Sequence, residues 1–255
     1  MSNKTKKPVI GIPCWSLGEN SFGVQKTYLE YFNKFGQVEM LTPNEDIRED
    51  LDLVVLPGGQ DVQTTHYNAV PGFMNGSSDP FKDYFFKNNL PKYIEAGTPV
   101  FGICLGYQQL AIYFGIPIIQ NITPYHGNSS DGDGDKLVNK CVVNNKYMQE
   151  FIHPSCTSPS ISVNSFHHQG VSKQALEANA DLIPLLWEKA PSWDRMNFVH
   201  NILEGFAHSK LPVIGVQFHP EKASSCDFSD ILVDSLIARS PRLQKLTELE
   251  KSILA

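Results

Sequence analysis

Three short apolar runs, LDLVVL (51–56), TPVFGI (98–103) and LPVIGVQF (211–218), place the tightest constraint on how this chain folds. Each is continuous rather than alternating, which predicts strands covered by side chains on both faces, as in parallel sheets. A strand with one wet face would alternate apolar and polar residues. Helix-like segments lie between such runs. TYLEYFNKFG (27–36) sets Tyr28, Leu29, Phe32 and Phe35 at helical spacing and ends on Gly36, a residue suited to a C-terminal cap. FKDYFFKNNLPKYIEAG (81–97) predicts a helix bent or interrupted at Pro91, and LGYQQLAIYFG (105–115) a helix closed by Gly115. With PVIGI (8–12) and QVEMLTP (37–43) as further strands, the order argues for βαβ units. The expected fold is α/β: a mostly parallel central sheet flanked by helices.

The second half reads less cleanly. KLVNKCVVNN (136–145) and SISVNSF (160–166) predict strands, and FSDILVDSLIARS (228–240) a helix packed on the sheet. Residues 187–201 suggest no element. In HGNSSDGDGDK (126–136), Asp131, Asp133 and Asp135 imitate the start of a calcium loop. Lys136 then stands where that loop needs glycine and Val142 where it needs glutamate, so a solvated hairpin tip is the better reading. No repeat or long linker divides the 255 residues, and a single domain over 1–255 is expected.

Bulk properties exclude several classes. The net charge of −6, with no basic cluster beyond Lys4–Lys7, argues against a nucleic-acid partner. No run has the length of a secretory signal or a membrane span, so a cytoplasmic protein without a membrane partner is expected. The five cysteines are odd in number and form no CxxC pair. That disfavours a disulfide framework or structural zinc, and leaves a thiol free to react.

Chemistry concentrates where the apolar runs stop. Gly102-Ile103-Cys104-Leu105-Gly106, set between a strand and a helix, has the layout of a nucleophile elbow, its glycines admitting a very sharp turn. A thiol at a helix N-terminus is favoured as thiolate, and the Leu105 N–H just past it is a natural oxyanion donor. The alternative is a small buried cysteine at a tight turn. His219-Pro220-Glu221 comes directly after another strand; in an extended tripeptide the first and third side chains share a side, so Glu221 would orient the imidazole. A third strand ends in Pro57-Gly58-Gly59, bringing amides to the carboxyl edge of the sheet, with the Gly59 N–H as second donor. His167 and His168 invite a metal, yet neighbours on a strand point apart and no third ligand is near in sequence; no metal is expected.

Taken together, LPGGQDV, DPFKD, PVFGICLGYQQL, VNSFHHQGV and IGVQFHPE make the chain resemble the class I glutamine amidotransferase superfamily, and within it the γ-glutamyl hydrolase branch that includes γ-glutamyl-γ-aminobutyrate hydrolases. The resemblance implies a flavodoxin-like sheet, a Cys104–His219–Glu221 triad, and an oxyanion hole of the Gly59 and Leu105 amides. It further implies that Gly58, Gln108, Ser165, Phe166 and His167 help hold a γ-glutamyl group. No cofactor is implied; the partner is a γ-glutamyl compound or glutamine, with a glutaminase serving a separate synthetase subunit as the alternative, a non-catalytic binding module on the same fold as a further one, and the oligomeric state open. Leu105 stands where the hydrolase branch usually has arginine, and leucine there is common in glutaminase domains.

Overall fold

The computed structural model describes residues 7–42, 46–73, 75–122, 137, 139–188, 201–222 and 227–254. In chain order the strands are β1 (Val9–Pro13), β2 (Trp15–Gly18), β3 (Ser21–Gly23), β4 (Gln37–Leu41), β5 (Leu53–Leu56), β6 (Val100–Ile103), β7 (Asn139–Val143), β8 (Ser160–Val163), β9 (Val171–Ser172), β10 (Leu182–Glu188), β11 (Ile202–His208) and β12 (Val213–Val216). The helices are α1 (Lys26–Phe32), α2 (Pro80–Asn88), α3 (Leu90–Glu95), α4 (Leu105–Tyr113), the short α5 (Asn145–Tyr147) and α6 (Lys173–Glu177), α7 (Asp227–Ile237) and α8 (Pro241–Leu254).

Among the described residues a single large sheet runs β4–β1–β5–β6–β12–β11–β10–β7–β8. From β4 to β12 every pairing is parallel; beyond β12 the sheet continues antiparallel, with β9 on β11. The expected α/β fold is therefore the one observed, with helices flanking a central sheet that is parallel through β4, β1, β5, β6 and β12. As the unbroken apolar runs require, β5, β6 and β12 are buried at every position. Their side chains alternate between two cores. On one face α1 and α7 (Tyr28, Phe32, Leu232, Leu236) cover Ile10, Leu53, Phe101 and Ile214. On the other, α2 to α4 (Phe85, Leu90, Tyr107, Leu110) cover Val54, Leu56, Val100 and Val213. Burying each large apolar side chain stabilises the fold by roughly 1.5–3 kcal/mol relative to exposure.

Several expectations are refined. The helix beginning near Thr27 ends at Phe32, and Gly36 does not cap it. A Cβ at Gly36 would lie 2.4 Å from the Pro8 carbonyl oxygen, so glycine is there to let the chain run close beside β1. The helix expected to bend at Pro91 is two helices, with Pro91 in the first turn of α3, where its missing N–H costs nothing. Strands β10 and β11 are additions. Pro184 breaks the pattern of β10, with a register shift just beyond it; β11 carries Glu204 and Gly205 in its middle. Of the unassigned stretch, Trp187 and Glu188 close β10; residues 189–200 and the aspartate loop at 123–136 lie outside the described residues. No helix among the described residues is long and apolar enough to cross a membrane.

Asp52, fully buried just before β5, ties the C-terminal helix to the sheet. Its carboxylate accepts from the Val9 N–H (2.7 Å), the Ser240 hydroxyl (2.7 Å) and Arg242 Nε (2.9 Å), and Arg242 Nη2 also bonds it. Removing one partner of such a pair strands the other charge. Asp52→Ala is expected to lower unfolding free energy by about 3–5 kcal/mol, read from urea denaturation, with Asp52→Ala/Arg242→Leu losing less than the two single changes combined.

Candidate active site

Strand β6 lies between β5 and β12, all parallel, with Leu56 paired to Gly102 and Ile103 to Val216. Their carboxyl ends therefore stop at the same level, and three loops meet there: Gly58-Gly59 after β5, Cys104 after β6, His219 after β12. A cleft of about 440 Å³ opens at this edge, walled by Trp15, Tyr28, Gly59, Lys82, Phe166 and Lys222, with Cys104 and His219 at its base.

Cys104 has φ 51° and ψ −101°, a conformation side chains rarely adopt, at a cost on the order of 1–3 kcal/mol. Its backbone is held from two sides: its N–H donates to the Val216 carbonyl (2.9 Å), and its carbonyl accepts from the Gln108 N–H (3.0 Å) as α4 begins. The second glycine of the turn has a packing reason. A Cβ on Gly106 would sit 2.3 Å from the Leu56 carbonyl oxygen, so only glycine lets α4 start this close to β5. Leu105 is the first residue of α4, and neither its N–H nor that of Gly59 finds an acceptor among the described residues.

His219 is a close neighbour of Cys104 at the base of the cleft, and on its other side its Nδ1 lies 2.7 Å from Glu221 Oε1. Burial disfavours its charge, but the Glu221 carboxylate and then the charge on Cys104 outweigh burial and push the imidazolium up to about 10. Residues Pro220–Lys222 form a 3₁₀ turn rather than the expected extended segment, so a turn, not a strand, folds Glu221 back beneath the ring. Two hydrogen bonds from Asn164 clamp the His219 backbone: the Asn164 Nδ2 donates to the His219 carbonyl (2.9 Å), and the His219 N–H donates to Asn164 Oδ1 (2.9 Å). Tyr28, buried in the core, accepts the Gly58 N–H at 2.8 Å. Its hydroxyl is kept neutral by burial first and then by the nearby Glu221 charge.

Of the residues expected around a bound group, Gly58, Gly59 and Phe166 line the cleft; the Phe166 ring meets the His219 ring edge-on at 5.6 Å. Gln108, Ser165 and His167 do not reach it. Gln108 lies one turn into α4, a helix buried on all sides, and donates to Gln217 Oε1 at 3.2 Å. Ser165 is fully buried, and His167 bonds the Gln169 carbonyl at 2.8 Å with its Nε2 3.6 Å from Glu204. Glu204, sealed behind the site, is pushed well above the carboxylate range by burial, then by Glu188 and Cys104. His168 turns away to Asp61 at 3.0 Å, so the paired histidines face different partners.

Sequence reasoning assigned no role to Trp15, Tyr28, Asp79 or Lys82. Asp79 caps α2, accepting from the Phe81 and Lys82 N–H groups (2.9 and 3.1 Å), and its second oxygen accepts from Ser16 of the β2–β3 hairpin at 3.3 Å. This sets Lys82 over the Trp15 ring, 4.3 Å from its centroid, with Nζ donating to the Gly58 carbonyl at 2.6 Å. The DPFKD segment was the available clue, but an aspartate before a proline explains itself as a helix cap, which hides the lysine behind it.

Comparison with known proteins agrees with this fold. The chain is 25% identical over 236 residues to the glutamine amidotransferase-like protein YvdE of Lactococcus lactis subsp. lactis, covering 80% of this chain and 98% of that one. It is 27% identical over 132 residues to anthranilate synthase component 2 of Thermococcus kodakarensis, half of each chain (50% and 52%). In fold it is similar to a glutamine amidotransferase from Thermotoga maritima, with TM-score 0.53 and 17% identity over 98% of this chain and 86% of that one. It is likewise similar to PurLQS from Thermotoga maritima, with TM-score 0.57 and 17% identity over 91% and 98%. The peptidase C26 family model matches residues 8–221, every strand of the sheet together with Cys104 and His219 at the cleft's base, and on that match the chain belongs to the peptidase C26 family of class I glutamine amidotransferase-like proteins.

Proposed function

We propose that this protein is a cysteine hydrolase of γ-glutamyl amide bonds, working through a glutamyl thioester. The observation that carries the reading is the buried chain of contacts from Cys104 to His219 to Glu221, at a strained elbow beside two amides that find no acceptor among the described residues. Cys104 attacks the side-chain amide carbon as thiolate. The Gly59 and Leu105 N–H groups receive the charge that develops on the carbonyl oxygen. His219, protonated across the neutral range, gives its proton to the departing amine. Relieved of that proton, it takes one from water, which attacks the thioester and frees glutamate. Glu221 holds the ring's orientation and tautomer throughout. Phe166 and Gly58 shape the acyl end of the cleft, with Gln108, Ser165 and His167 supporting that wall from behind.

A second reading has its own support. Relatives include anthranilate synthase component 2 and the carbamoyl phosphate synthase small chain, and Leu105 comes after the nucleophile as in glutaminase domains. On that reading the same chemistry would release ammonia from glutamine for a separate synthetase subunit. A panel of glutamine and γ-glutamylamines, read by glutamate release, separates the two: turnover of γ-glutamylamines by the isolated chain supports the hydrolase, and turnover of glutamine only in the presence of a partner supports the glutaminase.

In this panel Cys104→Ala is expected to abolish turnover. Glu221→Gln should cost roughly 10- to 100-fold less than that, because the carboxylate orients rather than reacts. The same substitution removes the strongest of the interactions that raise the His219 pKa, so an NMR titration of its ring should find a midpoint well below about 10. The stability linked to this histidine has a definite sign. Because its folded pKa lies above the unfolded value near 6.5, the contribution is complete below about pH 6.5 and is lost as pH rises through about 10. Thermal melts should show wild type losing more stability than Glu221→Gln across that window.

A further inference from the structure

The peptide bond between Gly58 and Gly59 carries two groups that face opposite ways: the Gly58 carbonyl and the Gly59 N–H lie on opposite edges of one plane. The Lys82 ammonium donates to that carbonyl at 2.6 Å, and a Cβ built on Gly59 would lie 2.4 Å from Nζ. Between two glycines such a plane rotates with little steric resistance, so something else must choose its orientation. On its amino side the Gly58 N–H is already anchored to the Tyr28 hydroxyl. On its carboxyl side the only fixed charge bonded to it among the described residues is Lys82. The lysine itself is held: its stem is buried, Trp15 lies under the ammonium at 4.3 Å, and Asp79 fixes the helix that carries it.

We propose that Lys82 is a positioning residue that sets the rotation of the Gly58–Gly59 peptide, holding its carbonyl outward so that the Gly59 N–H stays available to the oxyanion. This rests on the reading of Gly59 as an oxyanion donor. The lysine touches neither nucleophile nor base, and acts through the backbone alone. Its charge also makes the arrangement sensitive to pH. Burial pulls the ammonium down to about 8, opposed by the charges of Asp79 at the start of α2 and Cys104 at the elbow; Lys222 and His219 face it across the cleft, Tyr28 and the hairpin's Trp15 and Ser16 bring no charge to the wall, and the hairpin's Glu19 lies outside the cleft lining. The hold on the peptide therefore weakens at mildly alkaline pH, as the bond to the carbonyl loses its charge, whereas His219 keeps its proton to about 10.

The test compares wild type with Lys82→Met, which keeps length without charge, and Lys82→Arg, which keeps charge at all working pH values. Glutamate release from γ-glutamyl p-nitroanilide and from glutamine is measured against pH. Iodoacetamide alkylation of Cys104, which needs no oxyanion hole, serves as a control, and the Lys82→Met crystal structure is solved. Lys82→Met is expected to lower kcat roughly 100-fold with KM nearly unchanged, as for loss of one oxyanion donor, and to leave alkylation within a few-fold of wild type. Its crystal structure should show the Gly58–Gly59 peptide turned over or in two orientations. Lys82→Arg should recover most of kcat and move the alkaline fall of the rate from near pH 8 upward. An unchanged or raised kcat in Lys82→Met, or a loss confined to KM, overturns the proposal. So does an unmoved peptide in the crystal, which decides the matter even if wild type hydrolyses neither substrate and the functional reading itself falls.

Discussion

Parallel pairing of β6 with β5 on one side and β12 on the other decides where Gly59, Cys104 and His219 lie. Parallel neighbours end at the same edge, so three segments distant in sequence are delivered side by side without any loop having to reach for another. Registers of Leu56 with Gly102 and of Val216 with Ile103 set the three loops level to within a residue or two. A one-residue slip would exchange the two cores, moving Leu53 and Phe101 among residues shaped for Val54 and Val100. The interleaved apolar packing on both faces thus holds the site's geometry as firmly as it holds the fold.

That rigidity is what allows an unfavourable arrangement to persist at the edge. A positive φ at Cys104, an imidazolium buried against a carboxylate and a largely buried ammonium each cost free energy in isolation. Each is offset locally. The elbow is pinned by hydrogen bonds to β12 and into α4, and the imidazolium lies between Glu221 and Cys104. The ammonium has a carbonyl and an indole face. These offsets come from different elements, so the site assembles only when the sheet does. Away from the cleft Asp52 plays a similar part, gathering β1 and α8 around one buried carboxylate.

Much of this was legible in the linear chain. Unbroken apolar runs announce strands covered on both faces, and glycines around a lone cysteine announce a turn too tight for side chains. A histidine and a glutamate separated by one proline announce a pair. The reasons behind correct readings were sometimes different, however: a 3₁₀ turn rather than an extended segment joins His219 to Glu221, and Gly36 serves a close backbone crossing rather than a cap. Strands β10 and β11 escaped because Pro184, Glu204 and Gly205 interrupt the pattern that local reading depends on, while their neighbours in the sheet supply the missing pairing.

By itself, then, the sequence determined the kinds of element, the parallel centre of the sheet and the identities of a thiol, an imidazole and a carboxylate suited to one another. Periodicity and turn chemistry are local properties, carried by residues a few positions apart. Only the tertiary structure decided which polar residues face the cleft and which support it. Gln108, Ser165 and His167 turn inward, while Trp15 and Lys82, the latter hidden behind a helix-capping aspartate, arrive at its wall. The reason is physical: side-chain direction around a shared edge depends on how whole elements pack, and no spacing within one segment encodes what another segment will place opposite it.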